Sequence, residues 1–239
     1  MSNQKLFNVA VVGATGAVGE QIIRLLAERN FPIQELKLLS SARSAGSKVS
    51  FKGQEITVQE ATPDSFQGVD IALFSAGGDV SKALIPEAIK HGTVCVDNTS
   101  AFRMDPETPL VVPEVNIDKV NEHKGVIANP NCSTIQMVQT LKPLYDRYGI
   151  SRIIVSTYQA VSGAGARAID EMLRQSREVL AGNEVEPQIL PVGSLPKKTS
   201  NRLQCHSADR QIRRERIYLR RDENDQRNEK KLWATNRLK

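Results

Sequence analysis

The sequence predicts an α/β protein built on a doubly wound parallel sheet, with a smaller and incomplete α+β part after it. Three features carry that reading. Short strands that are apolar on both faces alternate with helix-period stretches through about the first 160 residues. A glycine-rich turn joins the first strand to the first helix. The pattern then changes character near Pro130, where a second region begins. The strands are expected at 8–12 (NVAVV), 36–39, 71–74 and 93–96, and the helices at 20–30 (EQIIRLLAERN) and 81–90. The segment 49–58 (VSFKGQEITV) alternates around Lys-Gly-Gln and predicts a hairpin beside the sheet. In the second region, 132–144 reads as a helix and 153–158 as a strand. Residues 166–180 read as an amphipathic helix with Ile169, Met172, Leu173, Val179 and Leu180 on one face.

Composition narrows the class. The chain has 239 residues, of which 40% are hydrophobic, enough for a substantial core. No apolar run reaches the roughly 18 residues of a membrane helix, and MSNQKLFNVAVVG lacks a cleavable apolar leader. Three cysteines, Cys95, Cys132 and Cys205, make no disulfide framework, so a reducing cytoplasm is expected. Membrane, collagenous and disulfide-stapled classes are excluded. The net charge of +5 is unevenly placed. Residues 1–198 hold 20 Lys+Arg against 21 Asp+Glu, and residues 199–239 hold 12 against 6. All of the basicity therefore belongs to the last 41 residues, where periodicity also stops. Arg213, Arg214, Arg216, Arg220 and Arg221 cluster there, interrupted by Ile217, Tyr218 and Leu219, with Trp233 further on. A charge run is usually a solvated face, so no specific nucleic-acid partner is expected, and no membrane either.

The turn Gly13-Ala14-Thr15-Gly16-Ala17-Val18-Gly19 carries the first functional signal. Gly13 permits the tight turn, Gly16 lets backbone approach a phosphate, and Gly19 allows close helix–strand packing. A pyrophosphate then meets the N–H groups of a helix N-terminus. Strand before, helix after and position in the chain agree on a Rossmann-like dinucleotide site. The end of the second strand selects the cofactor. It reads Leu39-Ser40-Ser41-Ala42-Arg43-Ser44, without the acid that would hold the ribose hydroxyls of NAD. Hydroxyls and Arg43 suit the extra phosphate of NADP(H).

Asn129-Pro130-Asn131-Cys132-Ser133-Thr134 leads into a helix-period stretch, which places Cys132 in a first helical turn. Helix N-termini favour thiolate over thiol. A thiolate beside a nicotinamide suggests aldehyde chemistry through a thiohemiacetal and a thioester. Cys95, inside TVCVDN, reads as a small buried residue, and Cys205 lies in the aperiodic tail. No metal cluster is expected.

The motifs GATGAVG, SSARSAG, LFSAGG, VDNTSAFRMD, PLVVPEVN, ANPNCSTIQM and IVSTYQAVSGAGA stand in this order. Together they resemble aspartate-semialdehyde dehydrogenase over about Phe7 to Lys198. The resemblance implies an NADP-binding domain at 1–130 and the first part of a catalytic/dimerisation domain at 131–198. It implies NADPH-dependent reduction of aspartyl phosphate to aspartate semialdehyde with release of phosphate, a step toward lysine, threonine and methionine. It also implies a homodimer or tetramer. By matching motif, Cys132 is the nucleophile, Asn131 lies beside it, Gln159 orients the substrate and Arg103 contacts the substrate phosphate. Thr15, Gly16, Ala17 and Val18 touch the pyrophosphate, with Gly13 in the same turn. Ser40, Arg43 and Ser44 address the adenosine phosphate. Ser75, Ala76 and Gly77 also line the cofactor, and Ser162 and Gly163 approach the nicotinamide side. Against this stands a reading as a non-catalytic NADP-binding or sensor protein, which nucleotide binding with an unreactive Cys132 would favour.

After Lys198 the resemblance stops. The family continues with a run close to His-Gln-Ile-Ala-Phe-Asn-Ala-Ile-Pro-Gln-Ile-Asp-Lys, whereas this chain reads TSNRLQCHSADRQI from Thr199. One set of codons encodes the observed run and, shifted by a single base, the family's run. Residues 199–239 are therefore expected to be a frameshifted, disordered basic tail. The family's acid/base histidine, a substrate arginine and a phosphate-site lysine fall in the part that does not match. His91, His123 and His206 are the chain's histidines, and none stands in the matching context.

Overall fold

The computed structural model describes residues 5–157 and 159–189, together with the backbone of Glu215–Tyr218. Their chain path divides into two units, 1–152 with 218–239, and 153–217. Expectations for His206, Cys205 and the rest of the basic tail lie outside the described residues, apart from the Glu215–Tyr218 backbone.

In the first unit, β-branched and leucine-rich runs become strands because both of their faces are covered. Strand β1 (Phe7–Val12) leads through the glycine turn into helix α1 (Ala17–Glu28) and strand β2 (Ile33–Ser40). Then come β3 (Lys48–Phe51), β4 (Gln54–Thr57) and β5 (Gln59–Glu60). Strand β6 (Ile71–Phe74), helix α2 (Gly78–Lys90), strand β7 (Val94–Asp97), the short helix α3 (Pro113–Asn116) and strand β8 (Val126–Ala128) follow. Helix α4 (Cys132–Tyr148) closes the unit. The main sheet has the order β5-β2-β1-β6-β7-β8. Every pairing in it is parallel.

Residues of β1 alternate between two cores, as the pleat requires. Val9 and Val11 pack with Ala14, Ile23, Leu36, Leu38 and Val58 on the α1 face. Ala10 and Val12 pack with Phe66, Phe74, Leu84, Ile85, Ala88 and Cys95 on the α2 face. Phe66 and Phe74 stack at 5.7 Å between ring centroids and are fully buried.

The expected hairpin is β3–β4, paired antiparallel. Its two turn residues, Lys52 and Gly53, both have positive φ (49° and 81°), as the tight turns matched to strand twist demand. Other boundaries differ from the sequence reading. Helix α2 starts at Gly78, three residues before the apolar period becomes visible, and α4 runs through Pro143 to Tyr148. Strands β5 and β8 are additions, since two or three residues leave no period to detect.

In the second unit, strand β9 (Arg152–Val155) pairs with β10 (Glu215–Tyr218), and a 3₁₀ turn at Val161–Ala164 leads into helix α5 (Ala166–Leu180). Here the expected apolar face of α5 is only partly covered, with Ile169, Met172 and Val179 half-buried. Leu173 and Leu180 are exposed, while Ala168, Glu171 and Gln175 are buried. The reason is local. The Glu171 carboxylate accepts the N–H groups of Gln188 and Ile189 (2.8 and 2.7 Å) and the Gln175 amide (2.7 Å), which draws the following segment over that side. No described helix is long and apolar enough to cross a membrane.

Candidate active site

A parallel sheet with a reversal of strand order opens a crevice at the carboxyl ends of its strands. Here the reversal falls between β1 and β6. The glycine turn stands at that point. Gly13 adopts φ 90°, and its N–H and that of Ala14 both donate to Leu39 O at the end of β2 (2.8 and 3.1 Å). A Cβ on Gly13 would lie 2.9 Å from Ala76 N and 3.0 Å from the Ser75 carbonyl carbon. The glycine turn therefore abuts the Ser75–Gly77 turn without a gap. Gly16 caps α1, and a Cβ there would meet only Gly13 O at 3.3 Å, which leaves room for backbone to approach a ligand.

The Thr15 and Ser40 hydroxyls share a hydrogen bond of 2.9 Å, tying the glycine turn to the end of β2. Beyond Ser40 the chain makes a 3₁₀ turn, Ala42–Ser44, with Arg43 exposed and no acid at the strand end. Ala17 and Val18 form the first turn of α1. The residues singled out around three separate turns thus converge on one crevice. Its glycine cradle and the joined Thr15 and Ser40 hydroxyls fit a dinucleotide, and Arg43 is exposed in the turn that follows β2.

A second group gathers at the ends of β7 and β8. Asn131 caps α4, its Oδ1 accepting Ser133 N–H at 3.1 Å, and Cys132 is the first helical residue, exposed. Arg103 is only 9% exposed. Its Nε donates to Asn129 O (2.8 Å) and its Nη2 to Asn98 O (3.0 Å). Burial holds the Arg103 pKa below its ordinary value, while the negative charges of Asp97 and of a Cys132 thiolate raise it. The Nε bond holds the Arg103 guanidinium against Asn129, three residues before Cys132.

Asp97, fully buried, supports this group from behind. Its carboxylate accepts Ser81 Oγ (2.9 Å), Thr99 N (3.0 Å) and Thr99 Oγ1 (2.9 Å), and its carbonyl accepts Asn129 N–H (2.8 Å). Sequence reasoning passed over Asp97, Asn98 and Asn129. The one available signal was an acid ending the apolar run VCVD, where burial would force it to find partners.

Gln159, Ser162 and Gly163 lie in the second unit, Gln159 just before the 3₁₀ turn and the other two within it. Neither described histidine is placed with Cys132. His91 follows α2 and precedes β7, and His123 precedes β8, where its Nδ1 accepts Gly125 N–H at 3.0 Å. Cys132 follows the opposite end of β8. Among the described residues no group of His, Cys, Asp and Glu could hold a metal.

Cys95 is the counterpart to Cys132. It is fully buried, and burial, helped by Asp97, pushes its thiol up to about 12 from 9.0. In a Cys205→Ser background, iodoacetamide is expected to modify Cys132 in the native chain and Cys95 only on unfolding. Ionisation in the unfolded chain alone also removes stability as pH rises from 9.0 toward about 12. Alkaline melts of the parent and a Cys95→Ala variant check this: the parent loses stability more steeply across that window.

Comparison with known proteins agrees with this architecture. Residues 8–123 match the family model "Semialdehyde dehydrogenase, NAD binding domain", and residues 141–195 match "Semialdehyde dehydrogenase, dimerisation domain". The chain belongs to the semialdehyde dehydrogenase family. Among curated relatives, the aspartate-semialdehyde dehydrogenase of Bacillus subtilis is 64% identical over 185 residues, which are 77% of this chain and 54% of that protein. The enzyme of Aquifex aeolicus is 56% identical over 75% of this chain and 54% of its own length. The chain thus spans about half the length of the curated family members it matches. Aspartate semialdehyde dehydrogenase II of Vibrio cholerae, solved as a complex with ASA, superposes with TM-score 0.74 at 45% identity, over 82% of this chain and 58% of that one. The Candida albicans enzyme, solved with NADP, gives TM-score 0.57 at 30% identity, over 66% and 52% of the two chains.

Proposed function

We propose that this chain carries the cofactor-binding half and the nucleophile of an aspartate-semialdehyde dehydrogenase. The reaction is the NADPH-dependent reductive dephosphorylation of L-aspartyl 4-phosphate to L-aspartate 4-semialdehyde. The observation that carries the proposal is Cys132, exposed at the first position of α4, with the Arg103 guanidinium held against Asn129 three residues before it. A nucleophile at a helix N-terminus and a buried cation suit an acyl phosphate. Arg103 binds the leaving phosphate while Cys132 Sγ attacks the acyl carbon. The bond from acyl carbon to phosphate oxygen breaks and a thioester forms on Sγ. NADPH, when bound, supplies the hydride. Sγ is then expelled from the resulting thiohemiacetal, returning the thiolate and releasing the aldehyde. Asn131 fixes the helix start that aims Sγ, and Gln159 orients the substrate.

The glycine turn with Thr15, Gly16, Ala17 and Val18 takes the pyrophosphate. Ser40, Arg43 and Ser44 take the adenosine phosphate, with Ser75, Ala76 and Gly77 beside them and Ser162 and Gly163 toward the nicotinamide. The segments 1–130 and 131–198 are read as the NADP-binding domain and the beginning of the catalytic domain. The assembly is a homodimer or tetramer, in keeping with the dimerisation-domain match, and the protein works in the cytoplasm. The Candida albicans relative, solved with NADP, supports the cofactor assignment. Replacing Arg43 with Ala is expected to weaken NADPH binding about tenfold or more and to leave NADH binding nearly unchanged, as titration of nicotinamide fluorescence would show.

The activity is tested on two proteins. The 239-residue chain alone is expected to show no turnover, because neither described histidine can exchange a proton with a substrate at Cys132. A chimera joining residues 1–198 to the remaining portion of the Bacillus subtilis enzyme is expected to form NADPH from aspartate semialdehyde, phosphate and NADP. A well-folded chimera that binds NADPH yet shows no phosphate-dependent reaction would overturn the proposal.

A further inference from the structure

Arg103 can meet an anion in only one way, because the protein uses one edge of its guanidinium. Arginine has five N–H donors, in a side-on fork (Nε with Nη2) and an end-on fork (Nη1 with Nη2). In this chain the side-on fork is taken. Nε donates to Asn129 O at 2.8 Å and Nη2 to Asn98 O at 3.0 Å. The two accepting residues stand just past the ends of the paired strands β7 and β8. Their side chains are joined by a hydrogen bond from Asn129 Nδ2 to Asn98 Oδ1 (2.7 Å). Asn129 N–H also donates to Asp97 O at 2.8 Å, continuing the strand pairing past Ala128.

We propose that the Asn98–Asn129 side-chain bridge is a positioning device that holds two backbone carbonyls at the spacing of the Arg103 side-on fork, leaving the end-on fork to bind the substrate's phosphoryl oxygens. The proposal rests on the aspartyl-phosphate reading above for the identity of the anion, and on the geometry alone for the clamp. The last ladder bonds reach only the N–H groups of these residues, Asn98 N–H to Phe74 O at 3.0 Å and Asn129 N–H to Asp97 O, so their carbonyls lie past the ladder. Without the bridge, only these two backbone N–H bonds would hold the residues, and the spacing of their carbonyls would be less tightly set. A guanidinium released from one carbonyl can rotate about its last torsions and lose the end-on alignment. Such a displacement of a charged binding group by about 1 Å is enough to cost roughly 10²-fold in a reaction. Asn98 and Asn129 thus act through Arg103, and neither needs to touch the substrate.

The direct test is nuclear magnetic resonance of the ¹⁵N-labelled 239-residue chain, with the Arg103 Nε–H signal identified by its loss in Arg103→Lys. The clamp predicts that this proton exchanges with water at least tenfold more slowly than those of exposed arginines. Asn98→Ala, Asn129→Ala and the double variant should each lose that protection to the same extent, because all three remove one bridge. Asn129→Asp should keep it, since Asn98 can turn its amide over and donate to the carboxylate. NADPH binding by each variant reports that the fold is intact. Unchanged protection in Asn129→Ala would overturn the clamp, as would a double variant much worse than either single one.

The phosphate reading is tested separately by protection of Cys132 from iodoacetamide in a Cys205→Ser background. Inorganic phosphate should protect the parent, and Asn129→Ala should need about tenfold more of it. If phosphate leaves the parent's alkylation rate unchanged while the Nε–H effects hold, the clamp stands and the aspartyl-phosphate reading is what fails.

Discussion

Replacing Cys132 with Ser in the chimera is expected to lower kcat by about 10⁴-fold or more, with NADPH affinity unchanged within about twofold. The expectation follows from what remains when the sulfur is removed. Cys132 begins α4 after β8, outside the β1, β2 and β6 ends that build the nucleotide crevice, so the cofactor site survives. Asn131 still caps α4 through Oδ1 and Ser133 N–H, so the helix start and the Arg103 group keep their places. Only the nucleophile is weakened. A serine hydroxyl is far less acidic than a thiol, and at this position it is a poor substitute for a thiolate. Cys95→Ser is the matched control. Cys95 lies within β7, 0% exposed in the core on the α2 face, so its cost appears as lost stability and leaves the chemical step alone. Single-turnover kinetics separate the outcomes. If Cys132→Ser kept even a hundredth of the parent kcat, the covalent mechanism would be wrong.

Much of this was visible in the sequence because the doubly wound fold writes strong local signals. Residues 9–12 are buried on both faces, and 71–74 are buried on one face and half-buried on the other, so both read as unbroken apolar runs. The glycine turn is constrained at three successive positions by backbone contact, and its spacing shows that. The placement of Cys132 was legible for a similar reason. Pro130 and Asn131 are helix-start residues, and Asn131 is indeed the cap. What stayed hidden depended on long-range partners. Strand β8 is three residues long and is a strand only because β7 lies beside it. The buried stripe of α5 contains Glu171 and Gln175, and no local pattern tells that the N–H groups of Gln188 and Ile189 will neutralise it. Arg103 was identified through motif resemblance, but its clamp joins residues up to 31 positions apart, beyond the reach of any periodicity.

Gly19→Ala is the second large expected effect, and it separates close packing from conformational freedom. Gly19 sits in the first turn of α1 with ordinary helical backbone, where alanine would normally be favoured by about 1 kcal/mol. Here a Cβ would lie 2.1 Å from Gly13 O, 2.8 Å from Gly13 C and 3.0 Å from Ala14 Cα, all backbone atoms. Gly13 cannot retreat, because its own Cα faces Ala76 and its N–H is bonded to Leu39 O at 2.8 Å. The helix must therefore move away from the sheet, opening the α1 face of the core at Ile23 and Val11. Overpacking against side chains costs about 1–3 kcal/mol, and a clash confined to backbone belongs at or above the top of that range. At about 3 kcal/mol, the melting temperature of a domain this size falls by roughly 6–12 °C. NADPH affinity should fall with it, since the same shift pulls the α1 N-terminus off the pyrophosphate. Gly53→Ala provides the contrast. It has φ 81° but nothing within 4 Å of an added Cβ, so it meets backbone strain alone, about 1 kcal/mol, with no change in cofactor binding. Thermal melts and fluorescence titrations of the two variants decide the matter. Equal losses in both would mean that glycine is required at position 19 for its backbone freedom, whereas a loss in stability and affinity confined to Gly19→Ala assigns it to the contact between α1 and the turn.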